Sequence, residues 1–145
     1  MLAPREQGDF GELSAMCWLA SRGASVAVPV GNNRHWDLIA ELDRRVLRVQ
    51  VKTTRCSRRG RWEVTVATRG GNQSWSGVAK LLDRSRFDYL FVLVGNGRRW
   101  FIPAGSVDGC SGLRLGGPKY AEFEVEQGEP IPGCTIEDGP STIAS

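Results

Sequence analysis

A single histidine, His35, stands among 145 residues, and the four cysteines, Cys17, Cys56, Cys110 and Cys134, form no CxxC pair. Protein zinc sites draw on clustered Cys and His ligands, so no zinc centre is expected and the thiols are read as reduced. The same scarcity excludes chemistry built on histidine clusters. A serine triad would have only His35 to use, and no GxSxG elbow accompanies it. Long apolar runs are missing too: YLFVLV, residues 89–94, is the longest and falls far short of the roughly 20 residues needed to cross a bilayer. The start, MLAPREQGDF, lacks the charged-then-apolar pattern of an export signal. No membrane partner is therefore expected, and the cytoplasm is the expected location.

What is present suits one globular domain. An apolar fraction of 41% and a charged fraction of 24% are ordinary, and a chain of this length buries enough surface to fold without disulfides. The net charge of +3 hides a strong asymmetry. Residues 44–69 carry nine basic side chains against one acid, whereas residues 108–145 carry two against seven. A local net charge of +8 points to a polyanionic partner, nucleic acid ahead of membrane, with a solvated arginine-rich loop as the plain alternative.

Periodicity divides the chain further. Phe10, Leu13, Cys17 and Ala20 recur at helical spacing, which predicts a helix over 9–22 with Gly23 as its stop. SVAVPV, WDLIAEL, RVLRVQVKT and WEVTVAT read as strands. VAKLLDRSR (78–86) reads as a short second helix, followed by the hairpin DYLFVLVG–RRWFIP and a candidate edge strand in YAEFEVE. The order, α-β-β-β-(β)-α-β-β, implies an α/β or α+β domain around one mixed sheet, over residues 1–127. The Gly/Pro/Ser-rich segment 128–145 is expected to be a loosely held tail.

The segment 36–54 carries the chemistry. If Asp43 and Arg44 turn a hairpin, then Trp36–Val51, Leu38–Val49 and Ala40–Leu47 pair on one apolar face. A one-residue slip would set Leu38 against Gln50 and Ala40 against Arg48, so the first register is favoured. It places Asp37 opposite Gln50, with Lys52 one pleat further on the same face. A carboxylate and an amide oxygen at that separation suit a hard cation such as Mg²⁺, and an adjacent lysine suits a phosphodiester-hydrolysing site.

These residues, D37 … Q50-V-K52 on a hairpin that follows a helix bearing Glu12, resemble the PD-(D/E)xK nuclease superfamily. The likeness is greatest to the branch with intron-encoded homing endonucleases and their bacterial relatives. The resemblance covers about residues 8–103 and implies a restriction-endonuclease-like core, a central mixed sheet flanked by helices. It implies a DNA endonuclease using Mg²⁺ or Mn²⁺, with Asp37 as metal-binding aspartate, Lys52 as catalytic lysine and Gln50 in the second acidic position. Glu12 resembles the helix glutamate that completes the metal site. Two residues depart from the pattern: Trp36 stands where proline is usual, and Gln50 replaces an acid, which leaves a catalytically inactive nucleic-acid-binding module as the alternative.

Other readings remain open for single residues. Asp9 and Glu12 have the D-x-x-E spacing of a capping box, a structural rival to metal binding. His35 reads as a strand-end residue rather than a base. Arg55, Arg58, Arg59 and Arg61, just past Lys52, are candidate phosphate contacts, as are Gln73 and Lys80; Arg84 and Arg86 would extend the basic surface. One such site cuts one strand, so a homo-oligomer is expected for double-strand cleavage.

Overall fold

The computed structural model describes residues 1–31, 35–66, 68–69 and 79–135, the pairs 68–69 and 79–80 by backbone alone. Helix α1 (Pro4–Ser21) begins five residues earlier than periodicity indicates. Pro4, whose fixed φ suits a first turn, opens it, and the Glu6 carboxylate accepts a hydrogen bond from the Ala3 N–H (3.1 Å). Ala3 has no side-chain oxygen to reciprocate. Gly23, at φ +89°, ends the helix, with the Ala24 N–H bonded back to the Leu19 carbonyl. This start moves Asp9 and Glu12 into the helix body, so they do not cap it.

The strands are β1 (Ser25–Ala27), β2 (Leu38–Leu42), β3 (Arg45–Thr54), β4 (Ser57–Arg58), β5 (Arg61–Thr65), β6 (Thr68–Arg69), β7 (Ala79–Lys80), β8 (Tyr89–Val94), β9 (Arg99–Pro103), β10 (Gly112–Leu115) and β11 (Glu124–Val125). Six of them form a mixed sheet in the order β1-β2-β3-β8-β9-β11, in which only β3 and β8 run parallel. The β2–β3 register matches the one the apolar face demands: Leu38 with Val49, Ile39 with Arg48, Ala40 with Leu47. Asp43 and Arg44 both take positive φ (51° and 65°), the two-residue turn that matches strand twist even without glycine.

Alternation along β8 sorts two cores. Leu47 and Val49, with Leu38, Ala40, Phe91 and Leu93, pack under Ala15, Trp18 and Leu19 of α1. Gly11 lets the helix lie close, since a Cβ there would overlap Thr53 Cγ2. The opposite face buries Leu90, Val92, Val94, Trp100 and Ile102 against Trp62, Val64, Leu113 and Leu115. Those four belong to a second sheet, β10-β5-β4.

The fold class is therefore the expected α+β, restriction-endonuclease-like arrangement, but its layers differ from the expected pair of helices. The second helix expected over 78–86 is not formed by the described residues there. Ala79–Lys80 pair with β6, and Leu82 is held at both backbone groups, its N–H by the Cys110 carbonyl and its carbonyl by the Gly109 N–H. Asp83 Oδ1 then accepts from both the backbone N–H (2.9 Å) and the hydroxyl (2.7 Å) of Ser85, a local turn that competes with helix. Among the described residues, the small sheet covers this face. YAEFEVE does supply the edge strand, β11. The segment from Gly128 is docked in its described part: Gly128 and Ile131 donate to the carbonyls of Gly97 and Gly95, and Ile131 is fully buried.

Candidate active site

The regular β2–β3 ladder ends at Leu38, and the two residues before it set the site. Trp36, expected beside Leu38, packs instead toward the core under β5, on the other side of the sheet. Asp37 keeps a backbone bond to β3, its N–H donating to the Val49 carbonyl (2.8 Å). Its carboxylate Oδ2 accepts the Val51 N–H (2.7 Å), which fixes the side chain across β3. Among the described residues the second carboxylate oxygen has no such bond.

Asp37 consequently opens toward the helix. A cavity of about 280 Å³ is lined by Arg5, Asp9 and Glu12 of α1, by Val28, Pro29 and Gly31, and by Trp36 and Asp37. Arg5, Asp9 and Glu12 follow i, i+4 and i+7 spacing, so one helix face supplies all three.

The electrostatics are unusual for a structural cluster. Burial pushes the Asp37 carboxyl above its ordinary value, and neither the Val51 N–H nor the Lys52 ammonium offsets it. Burial also raises Glu12, helped by the charges of Asp37 and Asp9. Lys52 is lowered by burial and only partly restored by Asp37. Each group is thus disfavoured in its charged form where it sits.

The structure brings Asp37 into electrostatic reach of both Glu12 and Lys52. It does not bring Gln50 into the same cavity: Gln50 lines a separate one of about 300 Å³ with His35, Val66, Leu81, Leu82, Asp83, Arg86 and Phe87. The regular ladder stops one residue short of Asp37, so Asp37 and Gln50 line different cavities. Arg5 and Asp9 are site-lining residues the sequence reading did not select. Their signal was the helical spacing to Glu12, hidden while the helix was taken to start at Asp9.

The basic segment divides into two kinds. Arg55 Nη2 donates to the Pro132 carbonyl (2.8 Å), and its Nε is buried with no hydrogen-bond partner among the described residues. Arg61 folds onto the Gly60 carbonyl (2.8 Å) and over Gly117. Arg58 and Arg59 are exposed. Gln73 and the side chain of Lys80 lie outside the described residues.

Comparison with known proteins gives these observations a family. A bacterial homing endonuclease, I-Ssp6803I, has a similar fold, with a TM-score of 0.66 and 19% sequence identity over 86% of this chain and 88% of that one. No curated protein matches the sequence. The family model for the PD-(D/E)XK endonuclease matches residues 2–109, a span that holds Glu12, Asp37, Gln50 and Lys52. A helix-backed mixed sheet with this hairpin at its centre, matched along most of its length, makes the chain a member of the PD-(D/E)XK endonuclease family.

Proposed function

We propose that this protein is a metal-dependent DNA endonuclease whose site is formed by Asp37, Glu12, Lys52 and Gln50. The observation that carries the reading is the burial of Asp37 beside Lys52, at a cavity it shares with Glu12. Nucleases of this family generally use divalent metal ions, and the donor set fits one. Among the described residues no three His, Cys, Asp or Glu side chains form a ready cage. Mg²⁺, however, is content with one or two carboxylates and several waters. Two carboxylates that penalise each other's charge are relieved by a cation between them, which is the physical argument for the fit.

When bound, the ion supplies Lewis-acid polarisation of the phosphate and acidification of water. The chain's own residues do the rest. Asp37, fixed by the Val51 N–H through one carboxylate oxygen, presents the other at a set position. Lys52 orients the attacking water and donates hydrogen bonds to the negative charge that develops on the phosphate. Gln50, two residues before Lys52, is assigned the remaining oxygen ligand. Its amide lines the neighbouring cavity and would have to turn toward the carboxylates to hold an ion with them. Arg58 and Arg59 are free to meet DNA phosphates, a role also assigned to Gln73 and Lys80; Arg55 and Arg61 act by packing. Cleavage of both strands would take a second copy of the chain, so we propose a homo-oligomer.

The test is nicking of supercoiled plasmid in Mg²⁺, Mn²⁺ or EDTA by the protein, Asp37→Ala and Lys52→Ala. Nicking that needs the metal and disappears in both variants is the expected result. Salt-sensitive DNA binding with no nicking under any metal would replace the enzyme with a non-catalytic DNA-binding module.

A further inference from the structure

We infer that the tip of the β4–β5 hairpin is a minor-groove probe, with Arg59 as the side chain that enters the groove; this rests on the nuclease reading above and adds the part of DNA that is read. The tip is a two-residue turn, Arg59–Gly60, at φ +53° and +78°. Positive φ at both positions matches a hairpin turn in which Asn–Gly is the favoured pair. Arginine is a poor choice for that backbone, so its guanidinium can be removed there without loss of the turn.

The surroundings brace the backbone and free the side chain. Arg114 Nη2 donates to the Arg58 carbonyl (3.2 Å), and Arg61 folds back onto the Gly60 carbonyl. Space at the tip is open, with no atom within 4 Å of where a Gly60 Cβ would stand. Arg58 and Arg59 are both exposed.

The reach of the tip selects the groove. β10 pairs with β5 as far as Leu115–Trp62, and Trp62 is buried at 1% exposure. Only the Arg58–Arg61 pair and the turn therefore project beyond the small sheet. A major groove about 12 Å wide is read by a helix or by a ribbon several residues long, which this tip is too short to supply. A minor groove about 6 Å wide accepts one guanidinium, and its negative potential deepens where A·T runs narrow it. Arg59 follows Lys52 by seven residues, so the two lie at most about 25 Å apart. One duplex can meet both.

The experiment measures anisotropy of a labelled duplex with a central A-tract, in EDTA so that no strand is cut. Arg59→Asn and Arg59→Gly keep or improve the turn while removing the guanidinium. Arg44→Asn is the control, since Arg44 occupies a like positive-φ turn at the opposite end of β3. The expected result is binding weakened about tenfold or more in both Arg59 variants and unchanged in Arg44→Asn, with no fall in Tm. Netropsin, a minor-groove ligand, should displace the protein, and methyl green, a major-groove ligand, should not. Arg59 variants that bind as tightly as the parent, equal loss in Arg44→Asn, or displacement by methyl green alone would overturn the inference. If plasmid nicking still requires Asp37 in that event, the nuclease reading stands; no binding and no nicking by the parent chain would overturn both.

Discussion

Arg48 and Lys52 stand four residues apart on β3 and sit in opposite electrostatic situations. Arg48 is matched: its backbone N–H (2.7 Å), Nε (3.2 Å) and Nη2 (3.3 Å) all reach the Asp88 carboxylate, whose own N–H returns a bond to the Arg48 carbonyl (2.8 Å). Burial alone would raise Asp88, but the hydrogen bonds and charge of Arg48 outweigh it and hold the carboxyl below its ordinary value. Lys52 is less well matched. Its acid neighbour Asp37 ends above the ordinary value, and Lys52 itself ends below. A charge pair that serves the fold is satisfied where it stands. One kept buried without that satisfaction marks where a ligand is to complete it.

The largest effect expected from this contrast is on cleavage. Lys52→Ala should lower plasmid nicking by about a hundred- to a thousandfold, the loss seen when a transition-state donor is removed, and Asp37→Asn, which takes away the charge proposed to hold the ion, by at least as much. Asp37→Asn should also melt at a higher temperature than the parent at neutral pH. Asp37 has a raised folded pKa, so folding takes up a proton between the unfolded and folded values, and stability falls as pH rises through that window.

Asp88→Asn should reverse the pattern, reducing stability by about 1–2 kcal/mol in a denaturant titration while leaving the carboxylate cavity intact, an amount discounted for the partial exposure of the pair. Here the folded pKa is depressed. The contribution is fully present above the ordinary carboxylate value and lost as pH falls through the lowered one, so the variant should show a flatter acid limb.

Gln50→Glu tests the boundary between the two regions. A third carboxylate should tighten Mg²⁺ binding several-fold by calorimetry, because site affinity follows ligand charge. An unchanged affinity would place Gln50 outside the metal site. Arg44→Gly is the smallest change: it removes a side chain from a positive-φ position and should stabilise the fold by about 1 kcal/mol, with nicking unaltered.

How much of this was legible in the sequence follows from what alternation can encode. Val49, Leu47, Leu38 and Ala40 fixed the hairpin register because a slip would have buried Arg48 and Gln50. That same rule misplaced Trp36, since alternation holds only while the ladder does. Periodicity located α1 but not its start, because Pro4 and Glu6 act through backbone geometry rather than through an apolar stripe. Leu81 and Leu82 had helical spacing, yet Leu82 is tied at both backbone groups to residues 109 and 110, a long-range pairing that no local pattern announces. Glu12, Asp37 and Lys52 could be nominated from spacing; that the helix carries Asp9 and Arg5 to the same cavity needed the fold.

The central claim is that Glu12 and Asp37 are held, at some loss of stability, for a divalent cation. Thermal melting with increasing Mg²⁺ tests it without reference to cleavage, since a ligand that binds the folded state raises Tm with its concentration. The account predicts a rising Tm for the parent protein that is abolished in Asp37→Asn and reduced in Glu12→Gln. An equal response to Mg²⁺ in all three proteins, or none in the parent, would contradict it.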